Sequence, residues 1–258
     1  MRDNFLKIWL IGGTGDSARI AQEIARQKIP CLVTVTTKNA QDLYPKNPYL
    51  SVQVGALNLV QIRELCQQQN ISAIVDASHP YAVQISQQAM TIAQQQNIPY
   101  LRYERPGIIA NSEVILLDSF ETLIKGNYLE RKRVLLTVGC QALPLFKPWQ
   151  NRAVLFARIL PRIESLEIAI KSGFSSDRLI ALRPPITVEL EQALWQQWNI
   201  SLVVTKASGT AGGEETKTLI ATQLGIPLIV INRPVINYPQ QTDQLCDIIQ
   251  FCQQFFKE

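Results

Sequence analysis

Histidine is all but missing from this chain, with His79 alone among 258 residues. The five cysteines (Cys31, Cys66, Cys140, Cys246, Cys252) are odd in number, widely spread and never paired as C-x-x-C. That points away from a disulfide framework and, with so little histidine, from a protein-held metal. No apolar stretch approaches the roughly 18 to 20 residues of a membrane span. Met1-Arg2-Asp3-Asn4 leads straight into a strand-like run without the apolar region of a signal peptide, so a cytoplasmic location is expected. Dense basic runs are lacking too. Arg131-Lys132-Arg133 reads as a solvated linker, and a net charge of +4 suits an anionic small molecule better than nucleic acid.

What is present is said nearly twice. Ile71-Ser72-Ala73-Ile74-Val75-Asp76-Ala77-Ser78, a helical stretch and Ile98-Pro99-Tyr100-Leu101-Arg102-Tyr103-Glu104-Arg105-Pro106 form one copy. Ile200-Ser201-Leu202-Val203-Val204-Thr205-Lys206-Ala207-Ser208, another helical stretch and Ile226-Pro227-Leu228-Ile229-Val230-Ile231-Asn232-Arg233-Pro234 form the other. A period so long implies two copies of a domain. Short β-rich runs at 6–11, 31–36, 51–54, 71–76, 99–103 and 113–117 alternate with helical patterns at 15–28, 57–69 and 80–96. The second half repeats the plan, with strands at 133–138, 153–160, 178–182, 200–205 and 227–232. Apolar strands between helices are the signature of βαβ units and a parallel sheet covered on both faces. The expected fold is α/β, two Rossmann-like domains related by duplication, residues 1–127 and 128–258, with a cleft between them.

Chemistry concentrates at strand ends. Lys7-Ile8-Trp9-Leu10-Ile11 runs into Gly12-Gly13-Thr14-Gly15-Asp16-Ser17-Ala18-Arg19, and Gly13-x-Gly15-x-x-Ala18 matches the dinucleotide fingerprint G-x-G-x-x-G/A in its proper strand-to-helix context. Glycine lets a pyrophosphate approach the backbone, and the helix N-terminus offers N–H donors to it. Thr14 and Ser17 are expected to line this turn. At the end of the second strand an NAD-binding carboxylate gives way to Thr36-Thr37-Lys38, which with Arg19 suits the 2′-phosphate of NADP; Asp42, further along the loop, is the carboxylate that leaves NAD as the alternative. Ser78-His79-Pro80-Tyr81 closes the fourth strand, where open α/β sheets bind ligands. His79 is either a capping or packing residue there or part of the chemistry.

The second copy has Thr137-Val138-Gly139-Cys140 at its first turn, without the second glycine, so a second dinucleotide is not expected. Its Lys206-Ala207-Ser208-Gly209-Thr210-Ala211-Gly212-Gly213 segment reads as an anion cradle or a plain loop. Arg102, Arg105, Arg158, Arg162, Arg183 and Arg233 fall near strand ends, and a group of guanidinium forks suits a polyanionic ligand.

These segments, with Ala157-Arg158-Ile159-Leu160-Pro161, resemble the precorrin-6A reductases across nearly the whole chain, the D-A-S-H-P-Y-A segment most specifically. The resemblance implies NADPH-dependent reduction of one double bond in a corrin precursor, precorrin-6A or its cobalt form. It implies cofactor contacts at Gly12, Gly13, Thr14, Gly15, Asp16, Ser17, Arg19, Thr36, Thr37, Lys38 and Ser78. Substrate contacts are expected at His79, Tyr81, Arg102, Arg105, Gly139, Arg158, Lys206, Ser208, Gly209, Gly212 and Gly213. His79 and Tyr81 are the candidate catalytic pair, no metal is held by the protein, and a two-domain chain of this kind can work as a monomer. Two other classes stay open. One is a non-catalytic NADP sensor. The other is a short-chain dehydrogenase acting on another small anion, whose Tyr-x-x-x-Lys spacing recurs at Tyr128 and Lys132, though in an interdomain segment rather than a helix.

Overall fold

The computed structural model describes residues 5–105, 114–209 and 213–256. Strand β1 (Lys7–Ile11) leads to helix α1 (Gly15–Arg26), then β2 (Cys31–Val35), a single helical turn α2 (Lys38–Gln41), β3 (Leu50–Val54), α3 (Leu59–Gln68), β4 (Ile71–Asp76), α4 (Val83–Gln96) and β5 (Tyr100–Tyr103). The chain continues with β6 (Val114–Leu117), α5 (Phe120–Lys125), β7 (Arg133–Thr137), a 3-10 segment Cys140–Trp149, β8 (Val154–Ile159), α6 (Ile163–Lys171), β9 (Leu179–Ala181), α7 (Val188–Gln197), β10 (Leu202–Lys206), α8 (Glu214–Leu224) and β11 (Leu228–Ile231). A two-residue strand β12 (Gln241–Thr242) and helix α9 (Leu245–Gln253) complete it.

Two six-stranded sheets result, ordered β3-β2-β1-β4-β5-β12 and β9-β8-β7-β10-β11-β6, and every pairing is parallel. Both follow the 3-2-1-4-5-6 order of the doubly wound dinucleotide folds. Successive side chains of β1 enter opposite cores: Ile8 and Leu10 pack with Ile20, Ile24 and Val33, while Trp9 and Ile11 pack with Ile62, Ile74 and Ile92. A strand buried on both faces must be apolar throughout, which is why these runs are so legible in the sequence. Among the described residues no helix is long and apolar enough to cross a membrane.

The expected division at 127/128 does not hold. One compact unit comprises Met1–Pro106 with Val235–Glu258, the other Gly107–Pro234. The sixth strand of each sheet causes the difference. β6 precedes β7 in the chain and pairs with β11, Val114 opposite Leu228, in the second sheet. β12 follows β11 yet pairs with β5, Gln241 opposite Arg102, in the first. Helix α9 goes with it, placing Ile248, Phe251 and Cys252 in the core against α1. Each half of the duplication thus supplies the last strand of the other half's sheet.

Candidate active site

In the first unit, Gly12 and Gly13 leave β1 and Thr14 caps α1. The Thr14 hydroxyl accepts the Ser17 N–H (3.1 Å) and the Ser17 hydroxyl accepts the Thr14 N–H (2.9 Å), a reciprocal capping box. Thr14 Oγ1 also donates to the Ala77 carbonyl (3.0 Å), tying this turn to the end of β4. Ser17 is fully buried and Thr14 nearly so. Their hydroxyls therefore serve the turn and do not line a cofactor surface, contrary to expectation. What stays open is backbone: Gly13 has φ +102°, and a Cβ built at Gly13 or Gly15 would meet no protein atom within 4 Å.

Tyr44, which the sequence reading missed, supports this turn from beneath. Its Oη accepts the Gly13 N–H (2.8 Å) and is hydrogen-bonded to Ser17 Oγ (2.6 Å). A Cβ on Gly12 would collide with that same oxygen and lie 2.9 Å from Val33 Cγ1, so glycine is needed there for close packing. Thr36 and Lys38 are exposed just beyond β2, the neighbour of β1, and Thr37 precedes α2. Arg19 is exposed on α1 and donates to Tyr103 Oη at 3.4 Å. Arg105, expected as a substrate anchor, forms an ion pair with Asp16 in the first turn of α1.

The end of β4 is organised by Asp76, which is completely buried. Its Oδ1 accepts from the Ser78 N–H (2.9 Å) and Arg102 Nη1 (2.9 Å), and its Oδ2 from Ser86 Oγ (2.6 Å) and Tyr100 Oη (2.6 Å). Burial first, then the Asp76 charge, pushes the Tyr100 phenol far above its ordinary pKa, so it remains a donor. Arg102, expected as a substrate anchor, is instead enclosed: its side chain is 1% exposed, with Nε on Glu104 (2.9 Å) and Nη1 shared between Asp76 and the Ser78 hydroxyl (3.0 Å). Burial pulls its pKa down, but Asp76, Tyr238 and Glu104 outweigh that and hold it above the ordinary value. With its guanidinium enclosed and paired to two carboxylates, this arginine offers almost no exposed surface to a ligand, and removing either partner of the Asp76 pair strands the other at a cost of about 3–5 kcal/mol. Ser78, with its hydroxyl turned inward to Arg102, is likewise withdrawn from a cofactor. His79 is exposed, its Nδ1 accepting the Tyr81 N–H at 3.3 Å and its ring 5.8 Å from that of Tyr81.

In the second unit, Gly139 takes φ +79° at the end of β7, with nothing near its would-be Cβ. Lys206, half-buried at the end of β10, lies over the Phe120 ring (5.6 Å), and burial lowers its pKa. Ser208 is partly exposed, whereas the Gly209 N–H is taken up by the Glu214 carboxylate (2.5 Å), so the cradle expected for an outside anion already holds an internal one. Gly213 caps α8 with φ +67°, and Gly212 lies outside the described residues. Arg158, also expected as a substrate anchor, is instead nearly buried and ion-paired with Glu191, which also accepts from Trp195 Nε1 (3.1 Å). Tyr128 and Lys132 fall in the turn between α5 and β7, away from any helix.

Lys217 is also buried, Nζ donating to the Gly213 carbonyl at 3.1 Å. Burial and then Arg158 push its pKa from 10.5 down to about 8, with Glu191 and Glu214 acting the other way. The unfolded chain binds this proton up to about pH 10.5 and the folded chain only to about 8. Stability therefore rises with pH across that window, relieving a penalty on the order of 3 kcal/mol. In urea titrations from pH 7.5 to 10, Lys217→Met is expected to flatten the rise seen in the unmodified chain. Parallel curves would assign the titration elsewhere. The clue in the sequence was a charge on an apolar stripe: Glu214, Lys217, Ile220 and Ala221 share one buried face of α8.

Two parallel sheets in Rossmann order, one of them with a glycine turn opening its first helix, define a paired Rossmann-like α/β protein. The family model described as Precorrin-6x reductase CbiJ/CobK matches residues 7–253. Cobalt-precorrin-6A reductase of Synechocystis sp. is 50% identical over 256 residues, 98% of each chain. The enzyme of the same description from Priestia megaterium is 30% identical over 236 residues, 90% of this chain and 92% of the relative. The solved structure of CobK precorrin-6A reductase superposes with a TM-score of 0.80 over 97% of both chains at 22% identity, a likeness of fold. The chain belongs to the precorrin-6x reductase family, oxidoreductases of cobalamin biosynthesis.

Proposed function

We propose that this chain uses NADPH to reduce one carbon–carbon double bond of a corrin precursor, precorrin-6A or its cobalt form. The observation that bears most of this reading is the glycine turn. Gly13 and Gly15 leave open space where a pyrophosphate would approach, at the start of a helix whose first N–H groups lack helical acceptors. The Thr36-Thr37-Lys38 segment beyond β2 carries a cation and no carboxylate, the first acidic residue after it being Asp42 at the far end of α2, which supports a 2′-phosphate over a free ribose hydroxyl. The nicotinamide, when bound, supplies the hydride. The protein's part is to orient the reactants: the Thr14–Ala77 hydrogen bond joins the glycine turn to the His79 segment. In the second unit, Lys206, Ser208 and the open side of Gly139 are the groups proposed to meet the carboxylate arms of the macrocycle. Arg102 and Arg158 are not, because their charges are already paired.

The direct test mixes protein, NADPH and precorrin-6A or its cobalt form and follows nicotinamide absorbance. Cofactor binding without oxidation would favour the sensor reading. NADPH is expected to bind more tightly than NADH by about 1 to 3 kcal/mol through charge-assisted bonds to the phosphate. Lys38→Ala should narrow that gap and leave NADH affinity alone. Equal affinities for the two cofactors in a titration would refute the assignment of the β2 end.

A further inference from the structure

Asp76 and Arg102 face each other in register on neighbouring strands, Asp76 the last residue of β4 and Arg102 opposite it in β5. Asp76 accepts four hydrogen bonds, from a backbone amide, a serine, a tyrosine and an arginine, and has no exposed surface. Burying an ion pair confers little net stability, so its presence calls for a reason beyond packing. Three contacts indicate one. Arg102 Nη1 bridges Asp76 and the Ser78 hydroxyl, Asp76 Oδ1 holds the Ser78 N–H, and the intervening Ala77 carbonyl accepts from Thr14 of the glycine turn. The chain from Asp76 to Ser78 is thereby fixed on both sides, and the next residue is His79.

We propose that Arg102 is a positioning residue which, through Asp76 and Ser78, sets the turn that presents His79 beside the glycine turn. Tyr100 and Ser86 belong to the same device, because they hold the second oxygen of Asp76. Tyr238 covers it, its ring stacked on Tyr100 (6.5 Å) and beneath the Arg102 guanidinium (5.2 Å). The effect on catalysis rests on the reading of the protein as an NADPH-dependent reductase; the effect on His79 does not.

The test uses the full chain as Tyr100→Phe, Ser86→Ala and Arg102→Lys, milder changes than deleting the arginine. Because His79 is the only histidine, its imidazole C–H signals identify themselves in a proton NMR spectrum. Recorded well below each melting midpoint and without ligands, those signals should shift or broaden in Tyr100→Phe and Arg102→Lys. With NADPH and precorrin-6A, kcat should fall about tenfold to a hundredfold while KM for the macrocycle stays within about twofold. A raised KM at unchanged kcat in Arg102→Lys would make it a substrate anchor and overturn the proposal. So would His79 signals that match the unmodified protein in all three variants. If the unmodified chain failed to oxidise NADPH, the reductase reading would fall, whereas the positioning role would still be decided by the imidazole signals.

Discussion

A Gly13→Val chain is expected to lose NADPH binding by at least about a hundredfold while its second unit and its far-ultraviolet circular dichroism stay intact. Two effects add. Gly13 sits at φ +102°, a conformation that costs an L-residue roughly 1–3 kcal/mol, most for a β-branched one. The new side chain would also stand in the open space above the turn, where no protein atom lies within 4 Å. The neighbouring glycine provides the control. Gly12→Ala adds its methyl toward Tyr44 and Val33, in the packed underside of the turn, so it should lower the melting temperature as well as affinity. Gly13→Ala, with the strain but only a methyl group, should fall between. If fluorescence titration of Gly13→Val returned the unmodified Kd, the pyrophosphate would have to bind elsewhere.

The glycine turn was readable because its requirement is local: a tight turn after an apolar strand needs glycine wherever the chain lies in the fold. The strands were readable for a similar reason, since burial on both faces leaves short apolar runs such as Ala73-Ile74-Val75 in β4 and Leu202-Val203-Val204 in β10. Membership of a sheet is not local. β6 looks like the close of the first half, and only its pairing with β11 assigns it to the second sheet. β12 is two residues long and has no periodicity to detect. The 3-10 segment Cys140–Trp149 contains Pro144 and Pro148, which masked its helical character.

The site followed the same division. Arginines near strand ends looked like ligand anchors because residue type and position along a strand were visible, but the partner on the next strand was not. Arg102 lies between Leu101 and Tyr103 in a fully buried strand, where an arginine must be paired, and the register makes Asp76 that partner. Arg158 is matched by Glu191, 33 residues away on α7. Thr14 and Ser17 look like lining residues because they are polar in a glycine turn, yet the capping box turns both hydroxyls inward.

His79→Ala is expected to slow hydride transfer about tenfold to a hundredfold in single turnovers, with NADPH affinity within about twofold of normal. The imidazole Nδ1 accepts the Tyr81 N–H, so the neutral ring carries its proton on Nε2 while its other nitrogen shapes the backbone leading into α4. Alanine removes both functions. Asparagine removes only one, because its side-chain oxygen can accept the same N–H two residues on. If His79 positions the segment, His79→Asn should recover most of the rate lost in His79→Ala, and the pH dependence of transfer should be unchanged in both. Tyr81→Phe keeps the ring beside His79 and should have the smallest effect of the three. Acid catalysis makes the opposite forecast: both His79 variants lose about a hundredfold to ten-thousandfold, and a titration in the ordinary histidine range vanishes from the rate profile. The lone histidine makes that outcome unambiguous, since no other imidazole in the chain could account for the titration.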